Sequence, residues 1–124
     1  MTTAQEIECS LKNKNLVIVD ARTKREFIGS DVRANRRGHI PSAVKIDWEN
    51  NIANGTFNSK EKLYKIYSKI PKEANVVTYC QVGYRAANAF VALKILGYKK
   101  VKMYLGSWGE WGNSQHLPVS MELD

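Results

Sequence analysis

The sequence predicts an α/β protein in which helices cover both faces of a parallel sheet. Two segments of strand length, LVIVD (16–20) and VVTY (76–79), are continuous β-branched or apolar runs, as in strands buried on both faces. A helix pattern follows each of them. Strands that alternate with helices are typical of parallel sheets, because parallel neighbours need a crossover connection.

Capping signals predict two short helices in the first part of the chain. Thr3 and Glu6 have the spacing of a capping box, which predicts a helix near residues 4–12. Residues 23–26 repeat this spacing directly after the first strand, and Gly29 is placed to end the second helix. The first strand is therefore expected to lead into a helix.

The middle of the chain predicts a loop, a short strand and an amphipathic helix. Residues 30–42 have no apolar period and contain glycine and proline, which indicates a surface loop. AVKI (43–46) has the length of a short strand. Residues 58–70 place apolar side chains at helical spacing after Ser59, a candidate N-cap, and Pro71 follows as a stop.

The last third predicts a buried helix, a strand and a turn. Residues 86–96 are apolar almost all round, as expected for a helix packed on a sheet, and Gly97 stands where a left-handed C-cap belongs. VKMYL (101–105) predicts a final strand, and residues 106–112 form a turn region rich in glycine and tryptophan.

Length and composition predict one globular domain over residues 1–124. No apolar stretch approaches the roughly 18 residues that a membrane helix needs. The N-terminus, MTTAQEIECS, lacks the pattern of a secretory signal. We therefore expect a cytoplasmic protein without a membrane partner.

The chain is basic, with a net charge of +7 from 19 Lys and Arg against 12 Asp and Glu. Such an excess attracts anions. The lysines are scattered, and no basic run is interleaved with aromatic residues, so we expect no nucleic-acid partner. Small anionic substrates remain compatible with the charge, as does a basic surface that is merely solvated.

The two cysteines have different surroundings. Neither Cys9 nor Cys80 belongs to a C-x-x-C pair or to a Cys/His cluster, so free thiols are expected, and no metal or cofactor. Cys80 follows a predicted strand, where reactive groups of parallel sheets collect. The loop amides before the next helix, the turn at Gly83 and the cation of Arg85 would favour its thiolate.

These surroundings predict that Cys80 is a nucleophile. The alternative is an apolar space-filler, since free cysteine is among the most buried residue types. Cys9 lies on the first predicted helix without comparable surroundings, and we expect it to be inert.

Three stretches resemble the rhodanese family of sulfurtransferases. They are DARTKREF (20–27), RRGHIPSAVKIDW (36–48) and YCQVGYRAANAFVALKILGYKKVKMYLGSWGEW (79–111). The last is most similar to the catalytic C-terminal half of tandem-domain thiosulfate sulfurtransferases. The resemblance implies a rhodanese-like α/β fold, with a central, mostly parallel sheet of about five strands and helices on both faces.

The resemblance also implies a mechanism. Cys80 would attack the outer sulfur of thiosulfate, release sulfite, and carry the sulfur as a persulfide to cyanide or to a thiol acceptor. The loop amides would stabilise the persulfide anion, and arginines would hold the donor's sulfonate. The substrate-binding residues implied are Arg85, Arg22, Gln81, Val82, Gly83 and Tyr84.

Several of these residues also have structural interpretations. Arg22 could instead form a bridge to Asp20 or Glu26, and the amide of Gln81 could be merely solvated. His39 corresponds to a structural histidine of the family, and we do not include it in the site. Trp108 and Trp111 fit rim and core packing.

Other functions stay open at this point. Cysteine phosphatases place the arginine six positions after the cysteine, whereas the C-x4-R spacing here fits a single sulfur better than a phosphate; the same argument weakens arsenate reduction. Mercaptopyruvate is a competing donor. Three alternatives remain: a protein sulfur relay with a thioredoxin-like acceptor, a homodimer that replaces the other tandem half, and a non-catalytic binding module.

Overall fold

The computed structural model describes residues 1–122. In chain order the strands are β1 (Leu16–Asp20), β2 (Val44–Lys45), β3 (Ile52–Ala53), β4 (Thr56–Phe57), β5 (Asn75–Tyr79) and β6 (Val101–Met103). The helices are α1 (Ala4–Ser10), α2 (Lys24–Phe27), α3 (Lys60–Ile66), α4 (Tyr84–Ile95) and α5 (Ser107–Trp111), and a 3₁₀ helix covers Trp48–Asn51.

The central sheet is parallel and has four strands, in the order β2-β1-β5-β6. The prediction of about five strands is corrected here, because β3 and β4 pair only with each other, in a separate antiparallel ribbon. Asn54 and Gly55, both at positive φ, make the turn of that ribbon. Asn-Gly is a strong hairpin signal that the sequence prediction did not use.

Helices cover both faces of the sheet, as predicted. Ile18 and Val77 point to the side of α1 and α5, where Trp108 and Trp111 complete the core. Val19 and Val76 alternate with them and point to the opposite core. That second core is completed by Leu63 and Tyr67 of the α3 region and by Leu93 and Leu96 of the α4 region.

The predicted caps are present. Thr3 accepts the amide of Glu6, and Thr23 and Glu26 form a complete capping box at α2. Gly97 follows the C-cap of α4 at φ +92°. Helix α1 ends two residues and α3 four residues earlier than predicted, since their last predicted residues continue as turns. Within residues 1–122, no helix has the length and apolar character needed to cross a bilayer.

Candidate active site

Cys80 lies where strand β5 passes into helix α4. Strand β5 ends at Tyr79, and α4 begins at Tyr84, so residues 80–83 form the intervening loop. Asp20 and Tyr79 are partners in the parallel register, so β1 and β5 end together at the same edge of the sheet. The structure therefore places Cys80 at the carboxyl edge of the two central strands, as predicted.

The loop turns its backbone toward the sulfur. Gly83 has φ +112°, and its N–H donates to Sγ of Cys80 at 3.0 Å. The other amides of residues 81–85 donate no hydrogen bond to any group within residues 1–122. These amides remain available to a bound anion, because the first N–H groups of a helix have no intrahelical acceptor.

The cysteine itself is fully buried, with 0% of its surface exposed. It packs with Ala21, Ala86 and Ala89, and half-buried Trp48 lies against this group. Two side chains of the loop are exposed, Val82 to 62% and Tyr84 to 85%. The loop thus forms part of the molecular surface, whereas the sulfur lies beneath it.

Arg85 forms an ion pair with Glu26 of helix α2. Its Nη1 lies 2.7 Å from Oε1, and its Nη2 lies 2.9 Å from Oε2. Burial opposes the charge of Glu26, but the hydrogen bonds from Arg85 and Thr23 outweigh burial and lower the pKa of Glu26 to about 2. The same bonds raise the pKa of Arg85 against the effect of burial, and the charges of Glu26 and Cys80 contribute.

Arg22 forms the structural bridge that the sequence left open as an alternative to sulfonate binding. Its Nε and Nη2 hold the carboxylate of Asp20, and Nη2 also donates to the carbonyl of Gly38 at 2.7 Å. Burial lowers the pKa of Arg22, but the charge and hydrogen bonds of Asp20 outweigh burial, so the pKa is raised. With 2% of its surface exposed, Arg22 holds the loop at Gly38 and does not face a donor in solvent.

A buried network continues behind Arg22. The hydroxyl of Tyr79 donates to Asp20 at 2.5 Å and accepts the amide of Ile40 at 3.1 Å. Burial raises the pKa of Tyr79, and the negative charge of Asp20 raises it further, so the phenol stays protonated. His39, which we left outside the site, is buried and stacks on Phe27 with ring centroids 3.5 Å apart. This network anchors the loop at residues 38–40 to the ends of β1 and β5.

Gln81 uses its side chain away from the sulfur. Its Nε2 donates to the carbonyl of Arg33 at 3.1 Å, whereas its buried Oε1 has no partner within residues 1–122. Its main-chain carbonyl accepts the amide of Gly109 at 2.9 Å. Gln81 therefore links the loop to two neighbouring segments and contributes its own amide to the site.

Two residues of the site were missed by the sequence reasoning. Glu26 was considered only as a helix cap and as a partner for Arg22, and its contact with Arg85 spans 59 positions. Ser107 was not considered, although its Oγ accepts the amide of Cys80 at 3.1 Å. The available signal for Ser107 was its place in the segment GSW, where a polar side chain stands between a glycine and a tryptophan.

Comparison with known proteins assigns the family. The profile of the rhodanese-like domain matches residues 3–114. The chain belongs to the rhodanese family. A thiosulfate sulfurtransferase of Corynebacterium glutamicum is 40% identical over 114 residues, which cover 84% of this chain and 38% of that protein. The thiosulfate sulfurtransferase of Azotobacter vinelandii is 36% identical, over 86% of this chain and 41% of that protein.

A third relative carries a different name. The sulfur carrier protein TtuD of Thermus thermophilus is 37% identical over 115 residues, which cover 83% of this chain and 40% of that protein. The chain thus spans about two fifths of the length of these curated relatives. Two of these three relatives are named thiosulfate sulfurtransferase, and the third is named a sulfur carrier.

The fold is also similar to that of a solved structure. The structure of wild-type EanB superimposes with a TM-score of 0.88 over 99% of this chain and 32% of that protein, at 22% sequence identity. At this identity the match supports the rhodanese-like architecture alone.

Proposed function

We propose that this rhodanese transfers the sulfane sulfur of thiosulfate to cyanide or to a thiol acceptor through a persulfide on Cys80. The observation that carries the proposal is the hydrogen bond of 3.0 Å from the amide of Gly83 to Sγ. It shows that the loop presents a main-chain N–H to the sulfur at the start of a 12-residue helix. Relatives named thiosulfate sulfurtransferase support the same chemistry.

The proposed reaction has two halves. The thiolate of Cys80 attacks the outer sulfur of thiosulfate, a new S–S bond forms, and sulfite leaves with the electron pair of the broken bond. The terminal sulfur of the persulfide is anionic, and the amides of residues 81–85 lower its free energy. Cyanide or a thiolate then attacks this sulfur and leaves with it, which restores the thiolate. The kinetics are therefore expected to be ping-pong.

Arg85 is the cation that we propose for the donor's sulfonate. Its bonds to Glu26 use one edge of the planar guanidinium, and no group within residues 1–122 accepts from its remaining N–H donors, which an anion could therefore bind. The side chain is 19% exposed, whereas Arg22 is 2% exposed and bound to Asp20. Arg22 therefore has no place in this proposal.

Intact mass after incubation with thiosulfate tests the proposal. We expect wild type to gain the mass of one sulfur atom and to lose it on addition of cyanide. Cys80→Ser should gain none, whereas Cys9→Ser, which removes the exposed thiol on α1, should behave as wild type. The buried Cys80 also fits a space-filling role, which predicts no adduct on wild type. A wild-type chain without an adduct, or with the adduct on Cys9, would therefore contradict the proposal.

A sulfur carrier is the second candidate, supported by the resemblance to the Thermus thermophilus protein of that name. It uses the same persulfide and differs in the acceptor, a protein thiol such as that of a thioredoxin-like partner. Two free cysteines fit a reducing compartment, and we propose the cytoplasm. Turnover with thiosulfate or mercaptopyruvate as donor, and with cyanide or a dithiol as acceptor, distinguishes the enzyme from the carrier. A carrier loads sulfur but discharges it slowly to cyanide.

A further inference from the structure

The segment Gly106–Gly109 is hydrogen-bonded to the main chain of the nucleophile Cys80. Ser107 Oγ accepts the N–H of Cys80 at 3.1 Å, and the N–H of Trp108 donates to the carbonyl of Cys80 at 2.8 Å. The next amide, of Gly109, donates to the carbonyl of Gln81 at 2.9 Å. Both polar backbone groups of Cys80 are thus bound by one segment that lies outside the loop.

Ser107 stands in a conformation that glycine adopts more readily. Its φ is +54°, in the left-handed region, and none of its surface is exposed. Its hydroxyl donates to the carbonyl of Tyr104 at 2.9 Å, which orients the oxygen to accept from Cys80. A buried serine in this conformation is explained by its hydroxyl, because glycine would fit the backbone without strain.

Strand pairing does not require this hydroxyl. Strand β6 is already paired to β5 from Val101 to Met103, and the amide of Tyr104 extends the pairing by donating to the carbonyl of Thr78. The bond from Cys80 to Ser107 lies beyond the end of this pairing. Its effect is confined to the peptide group that carries the nucleophile.

We infer that Ser107 is a positioning residue for the nucleophile. It fixes the peptide group between Tyr79 and Cys80, and this peptide group sets the direction in which Sγ points. The result is the approach of Sγ to the amide of Gly83. This inference rests on the proposed function, because it requires Cys80 to be the group that takes up sulfur.

Without the hydroxyl, the N–H of Cys80 would be buried with no acceptor. The peptide group would then rotate until its N–H finds another acceptor. A displacement of the reacting sulfur by about an ångström slows a chemical step by up to roughly a hundredfold. Donor binding would change less, because the amides and the guanidinium proposed for that task belong to other residues.

Two variants separate the hydroxyl from the backbone. Ser107→Ala removes the oxygen and keeps a Cβ at positive φ, whereas Ser107→Gly removes the oxygen and relieves the backbone. Persulfide formation is followed by rapid quench and intact mass over a range of thiosulfate concentrations, and the melting temperature is measured for each variant. Ser68→Ala, which removes an exposed hydroxyl bound to the carbonyl of Lys65, is the matched control.

We expect both Ser107 variants to lose about tenfold or more in the saturating rate of persulfide formation. The thiosulfate concentration at half saturation should change less than about threefold, and Ser68→Ala should match wild type in both parameters. The two Ser107 variants should load at similar rates although the glycine variant melts at the higher temperature. This combination separates positioning from folding, because only the melting temperature depends on the backbone strain.

Loading rates that follow melting temperature across the variants, or that equal the wild-type rate, would overturn the role of Ser107 while leaving the proposed function intact. A wild-type chain that takes up no sulfur would overturn the proposed function, and this inference with it. The two failures are therefore distinguished by the wild-type arm.

Discussion

At the scale of single residues, Glu26 has two tasks. Its carboxylate accepts the amide and hydroxyl of Thr23, which caps helix α2, and it binds both terminal nitrogens of Arg85. It is 2% exposed, so the cation of Arg85 is needed to keep its charge stable. One side chain therefore couples the start of α2 to the start of α4.

We expect Glu26→Gln to destabilise the protein in a pH-dependent way. The pKa of Glu26 is lowered from 4.5 to about 2, so its stabilisation is complete above pH 4.5 and is lost as the pH falls through 2. At pH 7 the variant should lose on the order of 3 kcal/mol of unfolding free energy. Urea denaturation at pH 7, 4.5 and 2.5 should show the difference from wild type narrowing with acid. An exposed control, Glu61→Gln, should show no such narrowing, and a constant difference for Glu26→Gln would contradict the assignment.

Gly83 is the second residue whose local geometry has a direct consequence. A Cβ at this position would lie 3.3 Å from Cδ2 of Leu105, and the φ of +112° disfavours any other residue. We expect Gly83→Ala to lose about 1–3 kcal/mol of stability and to load sulfur at least tenfold more slowly, because the amide would move away from Sγ.

Gly55→Ala is a matched control for Gly83→Ala. Gly55 also has positive φ, at +82°, but a Cβ there would meet nothing within 4 Å, and the residue lies in the turn between β3 and β4. It should lose stability without a change in loading rate, as measured by intact mass. Equal loading by Gly83→Ala and Gly55→Ala would show that the amide of Gly83 is unimportant.

At the scale of elements, Arg36 fastens the end of α5 to the loop before β2. Its guanidinium donates to four main-chain carbonyls of one short stretch. These belong to Trp111 at 2.7 Å, Gly112 at 3.3 Å, Ser114 at 2.5 Å and Leu117 at 2.6 Å. The carbonyl of Arg36 in turn accepts Nε1 of Trp108 at 3.1 Å. The stretch after α5 has little regular structure, so these bonds replace the pairing that a strand or helix would supply.

We expect Arg36→Lys to lose about 2 kcal/mol or more of stability, although the charge is kept. The ammonium of lysine is a single nitrogen and cannot reach all the carbonyls that the three nitrogens of the planar guanidinium bind. Some part-buried carbonyls would therefore be left without a donor. Urea denaturation measures the loss. Arg33→Lys, at an exposed arginine, should change the free energy of unfolding by less than about 0.5 kcal/mol. A similar effect of both substitutions would mean that charge alone matters at Arg36.

At the scale of the whole molecule, charge and topology act on the same site. The net charge of +7 attracts anions to the surface, and the parallel sheet collects the loop amides at one edge. Close to the sulfur, both arginines that we considered are bound to carboxylates. Attraction over distance therefore depends on the overall charge more than on these two cations.

We expect the second-order rate of loading by thiosulfate to fall severalfold as ionic strength rises from about 0.01 M to 0.15 M. The screening length drops from roughly 30 Å to 8 Å over this range. Mercaptopyruvate, a monoanion, should show a shallower dependence than dianionic thiosulfate if it serves as a donor. Stopped-flow or rapid-quench loading measures both. A rate independent of salt would mean that the net charge does not steer the donor.

Short-range signals in the sequence were sufficient for much of this fold. The caps at Thr3 and Thr23 and the strand that ends at Tyr79 were predicted from neighbouring residues, and the structure confirms them. The Asn54-Gly55 turn was equally readable but was not used. The predicted place of Cys80 followed from the same local reasoning, since a strand end and a helix start enclose it.

The sequence by itself determined the α/β alternation, the caps and the position of the cysteine, because periodicity and capping act over a few residues. Only the tertiary structure decided that Arg22 binds Asp20 and Gly38, that Arg85 meets Glu26, and that Ser107 holds Cys80. Partners 59 and 27 positions apart are chosen by how strands pair and helices pack, and for Arg22 the sequence left two carboxylates open, Asp20 and Glu26. Contacts between residues so far apart in the chain leave no periodic signal in the sequence. The electrostatics of the site could therefore be read only from the folded molecule.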